Sequence, residues 1–324
     1  MIHRDVEIYR AILDWQSQGI DTAVATVLST WGSAPRAVGS ILAVNSDGSF
    51  VGSVSGGCVE SAVVRQSIEA MRLGRSREVS FGVTDDEAFD VGLACGGTIR
   101  VLIEPLSPSD RFAEECVHAL ETRRLSVLVR LLGRDSHGDM EISRRWTDAA
   151  DFEPYKGSRL DGDMHFIQPF LPRPRIFIVG GVHIAQALVS FAEILDFEPI
   201  IVDPREAWAN PQRFPNVRII AAWPDEAFHD KTLDRGSAVV ALTHDAKFDD
   251  PALICALQSD AFYVGALGGR HTNQKRSGRF RELGMADELI QRLHAPIGLN
   301  IGAANPQEIA LAIMAEIVAR WRNK

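Results

Sequence analysis

Two cysteines in this chain lie beside glycine pairs, in near mirror image. The first segment is Ser55-Gly56-Gly57-Cys58-Val59-Glu60, and the second is Ala94-Cys95-Gly96-Gly97. Glycine lets the backbone approach a ligand closely or adopt a positive φ, and a thiolate is both a nucleophile and a soft metal ligand. These segments predict a site where sulfur meets a bound molecule. The alternative is two small buried cysteines at tight turns.

Cys58 falls where a predicted helix begins, over residues 59–73, with Gly74 as its stop. The free amides of a helix N-terminus attract anions, including a thiolate. Glu60, in the first turn, is either a general base or a residue that caps the helix. The candidate catalytic residues of this half are therefore Cys58, Glu60 and Cys95.

Composition excludes several classes of protein. The 324 residues predict two domains. The net charge of −9, without a basic run, argues against a nucleic-acid partner. No apolar stretch approaches the ~20 residues of a membrane span, and the N-terminus lacks the apolar core of a signal peptide. The four cysteines have no Cys-x-x-Cys spacing, so we expect reduced thiols in a cytoplasmic protein rather than a zinc site or a redox motif.

The N-terminal half has the pattern of an α+β domain over residues 1–170. Helices are predicted over residues 5–18, 59–73 and 108–123, and strands over 22–29, 40–45, 49–54, 78–83, 98–104 and 126–133. Both glycine-flanked cysteines fall in its loops. Residues 135–162 are polar and give no clear signal, and residues 170–175, with two prolines, are the expected linker.

The C-terminal half, residues 171–324, alternates short apolar strands with helices. Strands are predicted over residues 175–179, 199–202, 238–242 and 262–264. This alternation is typical of a Rossmann-like, doubly wound parallel sheet. In the last helix Asn305 is the expected cap, with Pro306 in the first turn and Glu308 completing the capping pattern.

A glycine turn, Gly180-Gly181-Val182-His183, follows the first of these strands, and Asp203 comes about 20 residues later. This order is typical of NAD(P) binding, but Val182 stands where the middle glycine would let the backbone approach a pyrophosphate. His183 is a candidate hydrogen-bonding group in its place.

Further polar residues follow the predicted strands, and the carboxyl ends of parallel strands share one edge, where ligands bind. These candidate ligand-binding residues are Asp203, Arg205, His244, Asp245 and Arg270. The alternatives are helix caps for the two aspartates, a half-buried structural role for His244, and a solvated basic helix face for Arg270 and its neighbours Lys275 and Arg276.

Several motifs together resemble the XdhC/CoxI family, the maturation factors of xanthine dehydrogenase and carbon monoxide dehydrogenase. The matching segments are Gly32-Ser33-Ala34-Pro35-Arg36, Gly52 to Glu60, Val91 to Gly97, Gly180 to Ala185, Val202 to Arg205, Thr243-His244-Asp245, Tyr263 to Gly268 and Ala295 to Leu299. Three positions depart from the family pattern: Val182 in the glycine turn, His271 where arginine is common, and Asn300 where aspartate is common.

The resemblance implies an accessory protein rather than an independent enzyme. Such a protein binds molybdenum cofactor (molybdopterin), assists its sulfuration, with a cysteine desulfurase as a further candidate partner, and delivers it to a xanthine dehydrogenase-type molybdenum hydroxylase. Cys58 and Cys95 are then candidate molybdenum ligands, beside the glycines Gly56, Gly57, Gly96 and Gly97. We also expect a homodimer. The alternatives are an NAD(P)-dependent oxidoreductase that uses Gly180 and Gly181, and a scaffold that binds the client enzyme without cofactor.

Overall fold

The computed structural model describes residues 2–32, 36–82, 97–122, 125–136, 139–148, 152, 156–228 and 233–322. The chain divides into two compact units, an N-terminal unit (Met1–Pro172) and a C-terminal unit (Arg173–Lys324). The first contains antiparallel sheets and the second a parallel sheet, so the predicted mixed α/β fold class is confirmed. In the described part of the chain, no helix is long and apolar enough to cross a bilayer.

In its described residues, the N-terminal unit contains two sheets and three helices. Its elements are α1 (Ile2–Ser17), β1 (Thr22–Trp31), β2 (Ile41–Asn45), β3 (Phe50–Gly52), α2 (Glu60–Leu73), β4 (Arg77–Phe81), β5 (Thr98–Leu106), α3 (Phe112–Glu121), β6 (Ser126–Arg134), β7 (Met140–Asp148), β8 (Arg159–Asp161) and β9 (His165–Phe170). The five-stranded sheet has the order β3-β2-β1-β5-β4, and the four-stranded sheet has the order β7-β6-β9-β8. All neighbouring strands in both sheets are antiparallel.

The five-stranded sheet is covered on both faces because alternate side chains of a strand point to opposite sides. Ala25 and Val27 of β1 pack with Val63 of α2 in one apolar cluster. Val24, next to Ala25 in the strand, belongs to a second cluster with Tyr9 of α1 and with α3. This arrangement fixes α2 over the central strands, with its first turn near one end of the sheet.

The sequence patterns did not predict β7, β8 and β9. In β7 the side chains are exposed or only partly buried, and Arg144 interrupts the apolar alternation of Met140, Ile142 and Trp146. Arg144 Nε donates to Glu104 Oε1 at 2.9 Å, and Arg130 Nε lies 2.8 Å from the other oxygen of this fully buried carboxylate. Charge pairing across the two sheets therefore holds a strand that hydrophobic patterning does not reveal.

The C-terminal unit is a doubly wound parallel sheet. Its elements are β10 (Arg175–Val179), α4 (His183–Ile194), β11 (Glu198–Val202), β12 (Arg218–Ile220), α5 (Pro224–Ala227), β13 (Ser237–Ala241), α6 (Ala246–Leu257), β14 (Tyr263–Ala266), α7 (Arg270–Glu282), α8 (Asp287–Ile290), β15 (Leu293–His294) and α9 (Pro306–Arg322). The strand order β12-β11-β10-β13-β14-β15, with every pair parallel, is the Rossmann order.

The predicted start of the last helix is confirmed. The Glu308 amide donates to Asn305 Oδ1 at 2.9 Å, and the Ala304 amide donates to Glu308 Oε2 at 2.7 Å. This arrangement, in which the cap and the glutamate three residues on each accept from a backbone amide, is of the capping-box kind.

Candidate functional site

Three connecting segments begin at one edge of the five-stranded sheet, the edge formed by the ends of β1, β3 and β4 in the described residues. β1 ends there at Trp31, which pairs with Thr98 at the start of β5, and Phe81 at the end of β4 pairs with Ile99. β3 also ends toward this edge, because Gly52 pairs with Leu42 near the start of β2. The loop after β1, the loop 53–59 that carries Cys58, and the segment joining β4 to β5 therefore start from the same side. Cys95 and Gly96 lie outside the described residues; Gly97, just before β5, is buried.

Glu60 organises the loop that carries Cys58. Its Oε1 accepts hydrogen bonds from Ser53 Oγ (2.7 Å) and from the amides of Ser55 and Gly56 (3.0 Å each). Its Oε2 accepts from Ser55 Oγ (2.5 Å) and from the Gly57 amide (2.8 Å). The loop is thus folded around one carboxylate.

These bonds give Glu60 the structural role of organising the loop before α2, and Val59, the N-cap residue of that helix, makes no side-chain capping bond. Burial alone would raise its pKa, but the hydrogen bonds from Ser55, Ser53 and the loop amides outweigh burial and lower the pKa to about 2. A carboxylate with such a pKa stays ionised near neutral pH and is poorly suited to take up a proton. The interpretation of Glu60 as a general base therefore finds no support in this geometry.

The amides of the two residues that precede α2 are also bonded within the chain. Ser55 Oγ accepts hydrogen bonds from the amides of Cys58 and Val59, each at 3.0 Å. The Ser55 hydroxyl and the Glu60 carboxylate thus accept from the amides of this loop, whereas the predicted anion site at the first amides of α2 stays a prediction. What the loop presents outward is the Cys58 side chain and glycine backbone.

Cys58 is partly exposed, and its inner side packs on the α2 cluster. Gly57 has φ +125°, and a Cβ built on it would meet no atom within 4 Å, so the backbone beside the thiol is open. Cys116 provides a contrast: it is fully buried, and burial raises its thiol pKa well above the ordinary value. Cys58, Cys116 and Cys255 are free thiols, and among the described residues no three His, Cys, Asp or Glu side chains form a metal-binding cluster.

The predicted ligand edge of the parallel sheet is formed by loops in close contact. A Cβ on Gly180, which has φ +103°, would lie 2.5 Å from Thr243 Cγ2. A Cβ on Gly181 would lie 2.4 Å from the carbonyl oxygen of Trp208. Glycine is therefore required in this turn to pack the loop after β10 against the loops after β13 and β11, as well as for any approach of a ligand.

Asp203 is buried and fully engaged at this edge. Its Oδ2 accepts from the Gly181 amide (2.9 Å) and from Arg205 Nη2 (2.7 Å), and its Oδ1 accepts from Arg205 Nε (2.8 Å). Burial works to raise the Asp203 pKa, and the hydrogen bonds from Arg205 and Gly181 give a net lowering. The carboxylate that would hold a ribose in a dinucleotide-binding protein is thus bonded to the protein itself.

The other predicted residues of this edge have mixed roles. Asp245 caps α6, since its Oδ1 accepts from the Lys247 amide at 3.0 Å, as the alternative interpretation expected. His244 is exposed with a left-handed φ of 61°, rather than half-buried. His183 and Arg270 are exposed at the first residues of α4 and α7.

Arg276 does not belong to a solvated basic face on α7, which was the alternative interpretation for this helix. It is 2% exposed, and its Nη2 donates to the fully buried Asp249 Oδ2 at 3.2 Å. Arg276 also bonds Asn273, whose Nδ2 donates to the Gly268 carbonyl at 2.7 Å. This network ties α6 and α7 to the glycine turn after β14. No spacing in the sequence distinguishes the buried Arg276 from its exposed neighbour Lys275.

A row of ring contacts at the same edge was also not predicted from the sequence. The Arg205 guanidinium lies over the rings of Trp208 (5.0 Å) and Phe248 (4.7 Å). Phe248 stacks on Trp223 with centroids 4.8 Å apart and planes 5° from parallel. We refer to Trp208, Arg205, Phe248 and Trp223 as the ring ladder. Its members come from two loops and the first turn of α6, so only the fold brings them together.

These features define a class of protein: an antiparallel unit that presents a thiol on a carboxylate-organised glycine loop, joined to a Rossmann-like unit. A family model described as the XdhC Rossmann domain matches residues 176–317, and one described as the XdhC and CoxI family matches residues 15–82. The two matches together cover more than half of the chain, which belongs to the XdhC and CoxI family. The resemblance inferred from the motifs is confirmed.

Two named relatives agree with this assignment, and a solved structure shares the fold. The molybdenum cofactor insertion chaperone PaoD of Escherichia coli (strain K12) is 29% identical over 96% of this chain and 87% of its own length. A probable xanthine dehydrogenase subunit of Bacillus subtilis (strain 168) is 25% identical over 95% of this chain and 94% of its own length. A crystal structure of a xanthine dehydrogenase from Bacillus halodurans is 23% identical, with a TM-score of 0.78, and the match covers 99% of this chain and 96% of that one. This last likeness shows the fold.

Proposed function

We propose that this protein binds molybdenum cofactor as cargo and hands it to a xanthine dehydrogenase-type molybdenum hydroxylase. The observation that carries the proposal is the shared edge of the five-stranded sheet. The loop bearing Cys58 and the segment bearing Cys95 both start from that edge. The name of the Escherichia coli relative, a molybdenum cofactor insertion chaperone, supports the same role.

The chemistry of the Cys58 loop suits such a cargo. A thiolate is a soft ligand, and it matches a metal centre that already carries sulfur ligands. The open backbone at Gly57 leaves room for a flat ring system to approach the thiol. The loop amides already donate to Glu60 and Ser55, so we expect the loop to supply sulfur and shape, while groups elsewhere recognise the cofactor's phosphate.

The proposal extends to the steps around delivery. We place Cys58 and Cys95 as the residues that contact the molybdenum centre while it is sulfurated, with a cysteine desulfurase as the sulfur donor. We further propose that the protein acts as a homodimer in the cytoplasm, without turnover of its own. Sedimentation of the purified protein tests the dimer, and a mass of one chain would contradict it.

Purification from a molybdenum-replete host tests the function directly. The full chain is expected to retain a pterin, detected as its fluorescent oxidation product, together with molybdenum measured by mass spectrometry. The loaded protein is then expected to restore activity to a cofactor-free hydroxylase. Purified protein that holds neither pterin nor molybdenum would favour the scaffold that binds the client enzyme without cofactor.

An NAD(P)-dependent oxidoreductase is the second candidate, favoured by the Rossmann strand order. Two observations oppose it: Val182 replaces the middle glycine, and Asp203 is bonded to Gly181 and Arg205. An oxidoreductase must seat the nicotinamide half of the cofactor as well as the adenylate half. NADH would then bind much more tightly than AMP, and equal affinities would exclude this candidate.

A further inference from the structure

The open end of the ring ladder is Trp223. Trp208 has guanidinium groups over its ring from Arg205 (5.0 Å) and Arg213 (5.4 Å). Trp223 stacks on Phe248, and 43% of its surface remains exposed. A half-exposed indole that stacks on one parallel ring leaves aromatic surface available to a further planar group.

The ladder stands where parallel sheets of this kind bind ligands. Trp208 follows β11, Trp223 follows β12 and Phe248 lies in the first turn of α6, after β13. All three segments are at the carboxyl edge, and β12 and β13 flank β11 and β10 in the sheet. Ligands of open α/β sheets bind outside this edge. The ladder therefore spans the crevice whose usual ribose-binding carboxylate, Asp203, is closed by internal bonds.

We infer that Trp223 is a stacking platform for the base of a nucleotide, a site distinct from the proposed cofactor loop of the N-terminal unit. Indole–base stacking needs no particular hydrogen-bonding pattern, so the platform tolerates different bases. Asp225 and Glu226 in the first turn of α5 make a phosphate unfavourable beside this ring. The part of the nucleotide held by Trp223 is accordingly the base, with the phosphate directed away.

Binding of AMP, adenosine and ribose 5-phosphate to the full chain, measured by calorimetry, tests this inference. AMP and adenosine are expected to bind with affinities within about threefold of each other, and ribose 5-phosphate at least about tenfold more weakly, because stacking on the base supplies the affinity. If ribose 5-phosphate binds as well as AMP, or if AMP does not bind at millimolar concentration, the inference is overturned.

Two substitutions at one position separate stacking from simple apolar contact. Trp223→Leu keeps an apolar side chain without a π-face and is expected to weaken AMP binding about tenfold, whereas Trp223→Phe is expected to retain most of it. Ile194→Ala, at an exposed apolar residue at the far end of α4, is the matched control and should leave binding unchanged. Equal binding by the leucine variant and wild type, with circular dichroism confirming that both are folded, would refute a stacking role.

Discussion

The Gly57 amide donates to Glu60 Oε2 at 2.8 Å, and this bond ties the glycine pair to the helix that follows it. Gly57 has φ +125°, a conformation that a residue with a Cβ rarely adopts. The position of the Cys58 thiol is thus set by a glycine conformation on one side and by a buried carboxylate on the other. A single substitution in this loop, or in the buried hydrogen-bond networks around Glu316 and Arg276 of the C-terminal unit, should therefore change stability measurably.

Replacing Glu60 should loosen the loop. In Glu60→Gln one carboxylate oxygen becomes an NH₂ group, which faces hydroxyl or amide donors rather than accepting from them. We expect a loss of about 1–3 kcal/mol in the free energy of unfolding, the typical cost of unsatisfied buried groups. Urea denaturation measures this loss, and hydrogen exchange should show faster exchange of the amides of Ser55, Gly56 and Gly57.

Glu69→Gln is the matched control for that substitution. Glu69 lies on the same helix, but it is exposed and pairs with Arg72 three residues on. Exposed pairs of this kind contribute about 0–1 kcal/mol. If the two variants lose equal stability, the loop network around Glu60 is not the source of the effect.

Acid should destabilise both units through one carboxylate in each. The Glu60 pKa falls from an ordinary 4.5 to about 2. In the C-terminal unit Glu316 accepts from Tyr263 Oη (2.6 Å) and the Gly298 amide (2.8 Å), and bonds to His294 at 2.9 Å. Burial opposes these bonds, which nevertheless lower the Glu316 pKa from 4.5 to about 2.

Because both pKa values are lower in the folded state, each carboxylate stabilises the fold above pH 4.5, and this stabilisation is lost as the pH falls toward 2. Urea denaturation at a series of pH values should therefore show the difference between wild type and Glu60→Gln shrinking over this interval. A difference that stayed constant, or grew, on acidification would contradict the assigned pKa shift.

Removing Arg276 should cost far more than removing its neighbour. Arg276→Ala leaves the fully buried Asp249 without its cationic partner, and breaking such a pair costs about 3–5 kcal/mol. Lys275→Ala, on the exposed side of the same turn of α7, should change stability by less than about 0.5 kcal/mol. Thermal unfolding of the two variants checks the contrast, and similar melting temperatures would show that the pair is not a structural anchor.

Alkylation should distinguish the free thiols. Cys58 is partly exposed, whereas Cys116 is fully buried, and burial raises its thiol pKa. Iodoacetamide applied to the native protein should label Cys58 at least about tenfold faster than Cys116, because the reagent reaches the partly exposed thiol, whereas burial shields Cys116 and disfavours its thiolate. Peptide mass spectrometry measures the two rates. Faster labelling of Cys116 would contradict the burial described for α3.

Sequence patterns predicted the elements whose chemistry is local. The Asn305 cap, the Gly74 end of α2 and the apolar strands β10, β11 and β13 depend on neighbouring residues, and the structure confirms each of them. β7 was missed because Arg144 is stabilised by Glu104, which is 40 residues away in the chain. A pairing that distant leaves no period in the sequence of the strand.

In the candidate sites, too, local features were predictable from the sequence and long-range contacts were not. Glycine and acidic residues after the predicted strands indicated the edge of the sheet at which Gly180, Asp203 and Asp245 lie. The hydrogen bonds from Arg205 and Gly181 to Asp203 were not predictable, because an aspartate in the sequence reads the same whether its carboxylate is free or bonded within the protein. The ring ladder was not predicted from the sequence because its rings come from segments that are far apart in the chain.

We propose that the Cys58 thiol, on the Glu60-organised loop, contacts the bound cofactor. Molybdenum and pterin retained per protein chain, measured on wild type, Cys58→Ser and Cys255→Ser purified from a molybdenum-replete host, test it most directly. Cys255 is a partly buried thiol on α6 of the other unit and serves as the control. We expect at least about tenfold less cofactor on Cys58→Ser and an unchanged amount on Cys255→Ser, since only Cys58→Ser loses a soft ligand of the cofactor. Full retention of cofactor by a folded Cys58→Ser protein would contradict it.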